Sequence, residues 1–101
     1  MNSIEQTLEE RGARYGDFST HAEITQRLKD IVFSCEPRPG WPPYICEALD
    51  MIMHKVGRIV NGDPLYADSW HDIAGYATLV GQIIAKDSAI YDIKQDATVP
   101  K

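Results

Sequence analysis

A carboxylate lies inside the most apolar helical pattern of this chain. Residues 68–86 repeat their apolar side chains at the three- and four-residue spacing of an amphipathic helix. Asp72 falls on the same stripe as Tyr76 and Leu79, and Asp68 lies one turn earlier. A carboxylate on an apolar face is costly to bury unless a cation, a metal or several donors meet it. Asp72 therefore requires a partner from a neighbouring element.

The spacing of apolar residues predicts four helices and no strand. The predicted helices span about residues 3–12, 20–35, 43–60 and 68–86. Capping-box patterns begin at Ser3 and Thr20, and residues 14–19 read as a turn. Asp68 or Ser69 is predicted to cap the fourth helix. The pattern favours an all-α fold, an antiparallel bundle of about four helices.

The length of 101 residues predicts one domain. We expect residues 1–88 to form the helical domain and residues 89–101 to form a weakly structured C-terminal tail. The apolar arc of the fourth helix is too wide for a single neighbour. This width predicts a homo-oligomer in which a second subunit completes the bundle.

Charge and hydropathy exclude several classes of protein. A net charge of −5 argues against general nucleic-acid binding, which depends on neutralising phosphates with lysine and arginine. No apolar run approaches the roughly 20 residues that a membrane span needs, and the N-terminus does not resemble a signal peptide. Cys35 and Cys46 do not form a disulfide framework. We expect a cytoplasmic protein.

The third predicted helix carries a polar arc opposite a broad apolar face. The arc consists of Glu47, Asp50, His54 and Arg58, with Lys55 at its border. One interpretation is a solvated surface with ordinary ion pairing. The other is a surface that something approaches closely, which Gly57 favours because glycine inside a helix costs roughly 1 kcal/mol relative to alanine.

Two kinds of partner for Asp72 remain open. The short connection makes the third and fourth helices antiparallel neighbours, so Lys55 or Arg58 can form a structural ion pair with Asp72. The alternative partner is Mg²⁺, which prefers hard oxygen ligands and commonly binds carboxylates together with substrate phosphates. Two carboxylates on each of the two helices are candidate ligands: Glu47, Asp50, Asp68 and Asp72.

Three motifs resemble those of a family of small phage and prophage proteins of unassigned function. They are Tyr15-Gly16-Asp17-Phe18 preceded by an arginine (Arg11 or Arg14), Lys55-x-x-Arg58 and Asp68-Ser69-x-x-Asp72-x-x-Gly75-Tyr76. The resemblance covers roughly residues 8–80. That family is similar to the all-α nucleoside triphosphate pyrophosphohydrolases of the MazG and dimeric dUTPase type. Those enzymes bind Mg²⁺ through Glu-x-x-Glu on one helix and Glu-x-x-Asp on the next, and they hydrolyse between the α- and β-phosphates.

The resemblance implies a MazG-like, Mg²⁺-dependent hydrolase that converts a nucleoside triphosphate to the monophosphate and pyrophosphate. Glu47 and Asp50 match the first acidic pair, with aspartate replacing glutamate. Asp72 matches the last acid of the second pair. The first acid of the second pair is replaced by Ser69 at the expected spacing of three residues. Alternatively, Asp68 supplies this acid at a spacing of four residues.

The resemblance also implies a nucleotide-binding role for residues outside the acidic motifs. Lys55 and Arg58 would contact phosphate, and Tyr15 or Phe18 would stack on a base. The alternative for Tyr15 and Phe18 is core packing as aromatic anchors of a turn between helices. The departure at Ser69 sustains an alternative hypothesis, a non-catalytic phage protein in counter-defence or regulation. Such a protein would bind a nucleotide or another protein in the host cytoplasm, and the pairing of Asp72 would be purely structural.

Overall fold

Four helices account for most of the residues that the computed structural model describes, 3–34 and 40–87. They are α1 (Ile4–Tyr15), α2 (Phe18–Ser34), α3 (Pro43–Asn61) and α4 (Ala67–Lys86). These described ranges contain no strand, which confirms the predicted all-α fold. The predicted tail over residues 89–101 lies outside them, as does Cys35. None of the described helices is long and apolar enough to cross a membrane.

The link between α1 and α2 is shorter than the turn predicted over residues 14–19. α1 does not fray near Gly12 but continues until Gly16, whose N–H donates to the carbonyl of Gly12 and whose φ is +77°. α2 then begins before Thr20, because the carboxylate of Asp17 accepts a hydrogen bond from the backbone N–H of Thr20 at 3.0 Å. The predicted capping box at Thr20 is therefore wrong, and Asp17 caps α2 by accepting a hydrogen bond from one free N–H of the first turn.

The start of α4 also differs from the prediction. Tyr66 occupies the position before the first helical residue and makes no side-chain capping bond. The carboxylate of Asp68 accepts a hydrogen bond from the Tyr66 hydroxyl at 3.0 Å, and Ser69 is buried within the helix. Neither Asp68 nor Ser69 is the cap. By contrast, α3 begins at Pro43 as predicted, and the N–H of Gly62 closes its C-terminus on the carbonyl of Arg58.

α3 is the central helix of the described structure. It packs against α4 on one side and α2 on the other, whereas α2 and α4 do not pack against each other. Both neighbours are antiparallel to α3. Along α3 and α4, Lys55 meets Asp72 while Ala48 lies near Ile83. Along α2 and α3, Lys29 meets Asp50 while His21 meets His54. α1 crosses α2 and α3 and buries none of its own side chains. The result is a layer of three antiparallel helices with α1 beside it.

Candidate functional site

Asp72 meets a cation from α3, as predicted. Its Oδ2 lies 2.9 Å from the Nζ of Lys55, which is buried, whereas the Asp72 side chain is 42% exposed. The hydrogen bond and the positive charge of Lys55 hold the pKa of the Asp72 carboxyl below its usual value. Of the two predicted cations, the partner is Lys55. This pair fixes the register of α4 on α3, because a buried ammonium group needs its counter-charge.

The four predicted metal ligands have separate neighbours in the single chain. Asp50 pairs with Lys29 of α2 at 3.6 Å, and Asp68 bonds to Tyr66. Glu47 is exposed at a cleft of about 240 Å³ along α3 and α4. Within residues 3–34 and 40–87, no three histidine, cysteine or acidic side chains are grouped so that they could hold a metal ion. This donor set does not fit Mg²⁺ within one chain, and magnesium binding stays a prediction.

Asp50 and His54, in the middle of the polar arc of α3, face α2, whereas Glu47 at one end of the arc is exposed. Asp50 pairs with Lys29, and Nδ1 of His54 lies 3.4 Å from Nε2 of His21. Gly57 lies close to α2, since a Cβ there would lie 2.5 Å from the Oγ1 of Thr25. The prediction that a neighbour approaches Gly57 is confirmed, and the neighbour is α2. The interpretation of the arc as solvated is wrong for Asp50, His54 and Arg58, which are half-buried, and holds for Glu47, which is exposed.

Two histidines meet edge to face between α2 and α3. The ring centroids of His21 and His54 are 4.7 Å apart, and His21 is buried with its Nδ1 free of any hydrogen-bond partner. Burial lowers the pKa of both rings, and the nearby charge of Arg58 contributes, so that the pKa of His54 falls to about 4. Both imidazoles are therefore neutral at pH 7 and pack as polar but uncharged groups.

A chain of aromatic and cationic side chains connects the end of α1 to the start of α4. The guanidinium of Arg58 lies over the ring of Tyr15 at 4.0 Å, and Tyr15 meets Tyr66 edge-on at 6.1 Å. Arg14 covers the other ring at 4.9 Å, and its Nη1 donates to the Tyr66 hydroxyl at 3.1 Å. Cation–π contacts of this kind orient both arginines. The sequence did not predict this role of Tyr66, because Tyr66 lies in a connecting segment where no helical periodicity marks it.

The residues that follow Tyr15 dock on the C-terminal end of α3. The amide of Asn61 donates to the carbonyls of Tyr15 and Asp17 at 3.0 and 2.8 Å. Gly16 lies so close to Asn61 that a Cβ would be 2.1 Å from its carbonyl oxygen. The Tyr-Gly-Asp motif is thus a docking turn whose glycine permits both the positive φ and the close approach. Sequence reasoning read Asn61 only as a helix stop.

These contacts frame a groove of about 670 Å³ between α1, the start of α2 and Arg58, here called the Arg58 groove. Its charged and aromatic lining includes Arg11, Tyr15, Phe18, His21 and Arg58, and its apolar lining includes Ile4 and Leu8. The structure therefore brings the two predicted base-stacking residues, Tyr15 and Phe18, to the same groove as the predicted phosphate contact Arg58. Lys55 is not part of this lining, and phosphate binding by Lys55 stays a prediction.

No protein-family model matches the sequence, and no curated protein or solved structure shows significant similarity to it. Function is therefore inferred from the geometry of the described residues and from the motifs that they contain.

The ion pair between α3 and α4 predicts an asymmetric response to mutation. Asp72→Asn leaves the buried ammonium of Lys55 without its counter-charge, so we expect the free energy of unfolding to fall by about 1–3 kcal/mol. The Asp72→Asn/Lys55→Met double variant removes both charges and should lose less stability than Asp72→Asn alone. Urea denaturation at pH 7 measures both values. If the double variant loses as much free energy of unfolding as Asp72→Asn or more, Asp72 does not stabilise the buried charge of Lys55.

The histidine pair predicts a loss of stability in mild acid. Because the folded-state pKa of His54 is lowered to about 4, the unfolded chain takes up a proton below about pH 6.5 while the folded chain does not. The free energy of unfolding should therefore decline as pH falls from 6.5 toward 4. His54→Gln should weaken this dependence, whereas the exposed-site control His71→Gln should retain it. Denaturation midpoints at pH 7.5 and 5 distinguish these outcomes.

Proposed function

We propose that this protein binds a nucleoside phosphate in the Arg58 groove and that this binding does not depend on a metal. The observation that carries the proposal is that Tyr15, Phe18 and Arg58 line one groove, although they come from three different helices or their ends. A volume of about 670 Å³ is suitable for a small ligand, since ligand pockets commonly enclose about 300–1,000 Å³.

The phosphate end of the proposed site is formed by two arginines. The flat face of the Arg58 guanidinium lies on Tyr15, so its N–H edges are left to bind an anion in a fixed orientation. Arg11 lines the same groove. In the described part of the chain, neither arginine forms a salt bridge with a carboxylate. Asp17 also lines the groove, but its Oδ2 already accepts hydrogen bonds from Ser19 and Thr20.

The base end of the proposed site is apolar. The Phe18 side chain is 78% exposed and lies 6.4 Å from the His21 ring, centroid to centroid. Ile4 and Leu8 are exposed on the α1 wall of the same groove. An aromatic ring that is left in water gains from stacking on a nucleobase, which contributes about 1–3 kcal/mol per base in other proteins. An aromatic and apolar end beside an arginine end fits a ligand that has a flat base and a phosphate.

Magnesium-dependent pyrophosphohydrolysis is the second candidate function. It is supported by the motif resemblance and by the position of Asp72, which lines a cleft of about 310 Å³ with His71 and Tyr76. The carboxylate of Asp72 is therefore accessible from solvent although it pairs with Lys55. A hydrolase would need further carboxylates at this cleft, which the described part of a single chain does not bring together.

Binding is tested by calorimetric titration of the full chain with ribo- and deoxynucleoside mono- and triphosphates in the presence of EDTA. We expect Arg58→Met and Phe18→Ser each to raise the dissociation constant at least about tenfold, because each removes roughly 1.4 kcal/mol or more of contact. Leu65→Ser is the matched control for Phe18→Ser, since Leu65 is 87% exposed and Phe18 is 78% exposed, but Leu65 lies outside the groove. Absence of binding at millimolar nucleotide would overturn the proposal.

Hydrolysis is tested separately by adding Mg²⁺ to the same nucleotides and measuring pyrophosphate release. If the second candidate is right, Asp72→Asn abolishes release while the affinity measured in EDTA is unchanged, because Asp72 does not line the Arg58 groove. A folded wild-type protein that binds nucleotides but releases no pyrophosphate from any of them would rule out the enzyme and leave the binding proposal intact.

A further inference from the structure

The broad apolar face of α3 is not covered within the described chain. Ala48 and Ile59 are buried at its edge. The rest of this face is half-buried or exposed and forms a stripe at helical spacing: Ile45, Leu49, Ile52, Val56 and Val60. A helix face of this kind ordinarily lies against a second layer of secondary structure.

The stripe remains open because the two neighbours of α3 lie at its flanks. α2 contacts α3 through His54 and Gly57, and α4 contacts it through Ala48 and Lys55. α2 and α4 do not pack against each other across the stripe. The three helices therefore make one layer, and one layer of helices has two broad faces.

One face of the layer carries the Arg58 groove and the clefts beside Glu47 and Asp72. On α3, Glu47 and Arg58 are eleven residues apart, which is three turns and places them on the same side. Leu49 lies nine residues before Arg58, two and a half turns away, and so on the opposite side. The apolar stripe of α3 therefore belongs to the face that has neither groove nor acidic cleft.

The flanking helices extend this second face. On α4, Trp70 lies nine residues from Leu79, so the two are on opposite sides, and Leu79 lines the acidic clefts. On α2, Ile31 lies about 140° around the helix from the groove residue Phe18. The apolar face is defined by the α3 stripe together with Ile24, Leu28 and Ile31 of α2 and Trp70, Ile73, Ala77 and Ile84 of α4.

The apolar face is large, and its charged border on α2 is neutralised. Ile31, Val60 and Trp70 are 65%, 62% and 55% exposed, and Arg27, one turn before Ile31, pairs with Glu23. Three helices about 9 Å apart and about 27 Å long present roughly 700 Å². That is near the roughly 800 Å² that each partner buries in a stable protein–protein interface, and above the apolar patch size that monomers usually leave in water.

We propose that a second copy of this chain covers the apolar face and that the protein is a two-layered dimer. Stacking two copies face to face gives the α3 stripe the second layer that it lacks. A two-fold axis brings a surface against itself, so the surface must be self-complementary, and an uncharged apolar face meets that condition. The groove and the acidic clefts remain on the outer faces of this dimer.

The net charge of the chain favours a second copy of the chain over a basic protein or a membrane as the occupant of the apolar face. With a net charge of −5, two chains repel each other wherever their charged surfaces meet, so association is favoured where charge is absent. A basic partner would be attracted to acidic side chains, which this face does not have. Helices that lie on membranes carry lysine and arginine beside their apolar stripe, and an acidic chain is repelled by anionic lipid.

The experiment measures the mass of the full chain by light scattering and sedimentation over a concentration series. We expect twice the chain mass of 11.4 kDa for the wild type. Ile31→Glu and Val60→Glu place a charge on the apolar face and should raise the dimer dissociation constant at least about 100-fold. Leu79→Glu is the matched control, because Leu79 is a 56% exposed helical leucine on the other face, and it should remain a dimer.

Each result decides the proposal. A monomeric wild type across the series overturns it, and so does a dimer that Leu79→Glu dissociates while Ile31→Glu and Val60→Glu do not. Circular dichroism establishes whether each variant is folded. If the variants lose helicity, amide hydrogen exchange of the wild type replaces them. Protection within residues 45–60 should then rise with concentration while protection of α1 stays constant, and the absence of that difference overturns the proposal.

Discussion

The ion pair between Lys55 and Asp72 is the interaction on which the position of α4 depends. It sets where α4 lies along α3, and the position of α4 sets where Tyr66 meets Arg14 and Tyr15 at the end of α1. Because the ammonium group is buried, any register that separates the two charges leaves a cation without its counter-charge in a poorly hydrated place. The pair thus specifies one packing out of the several that an apolar helix surface would accept.

α3 contacts its neighbours largely through polar side chains, and part of its apolar surface stays half-buried or exposed among the described residues. Lys55 meets α4, while Asp50 and His54 meet α2 beside the close approach at Gly57. Apolar surfaces usually hold a chain together while polar surfaces face water, and here polar contacts share that role with a small buried core of Ala48, Met53 and Ile59. The proposed dimer would cover the remaining apolar surface and leave the groove free on the other side of the layer.

The sequence predicted the parts of the structure that rest on periodicity and on the cost of burial. The all-α fold, the start of α3 at Pro43 and the cation for Asp72 are of this kind. The helix caps were predicted less well, because side-chain hydrogen bonds of Asp17 and Tyr66 compete with local propensity. The partners of Asp50 and His54 in the polar arc were not predicted, because they belong to α2 and are distant in the sequence. The docking role of Asn61 depends on residues about 45 positions earlier in the chain, and no local pattern reports such a contact.

The absence of buried side chains in α1 has a consequence for how a ligand would enter and leave the groove. α1 is held by the Asn61 amide, the stacked arginines and the tyrosine rings, all at its C-terminal end. Its first turns can therefore separate from the layer in a subglobal opening that costs far less than complete unfolding. A ligand that spans both walls of the groove closes this opening, so protease resistance of the N-terminal segment becomes a measure of occupancy.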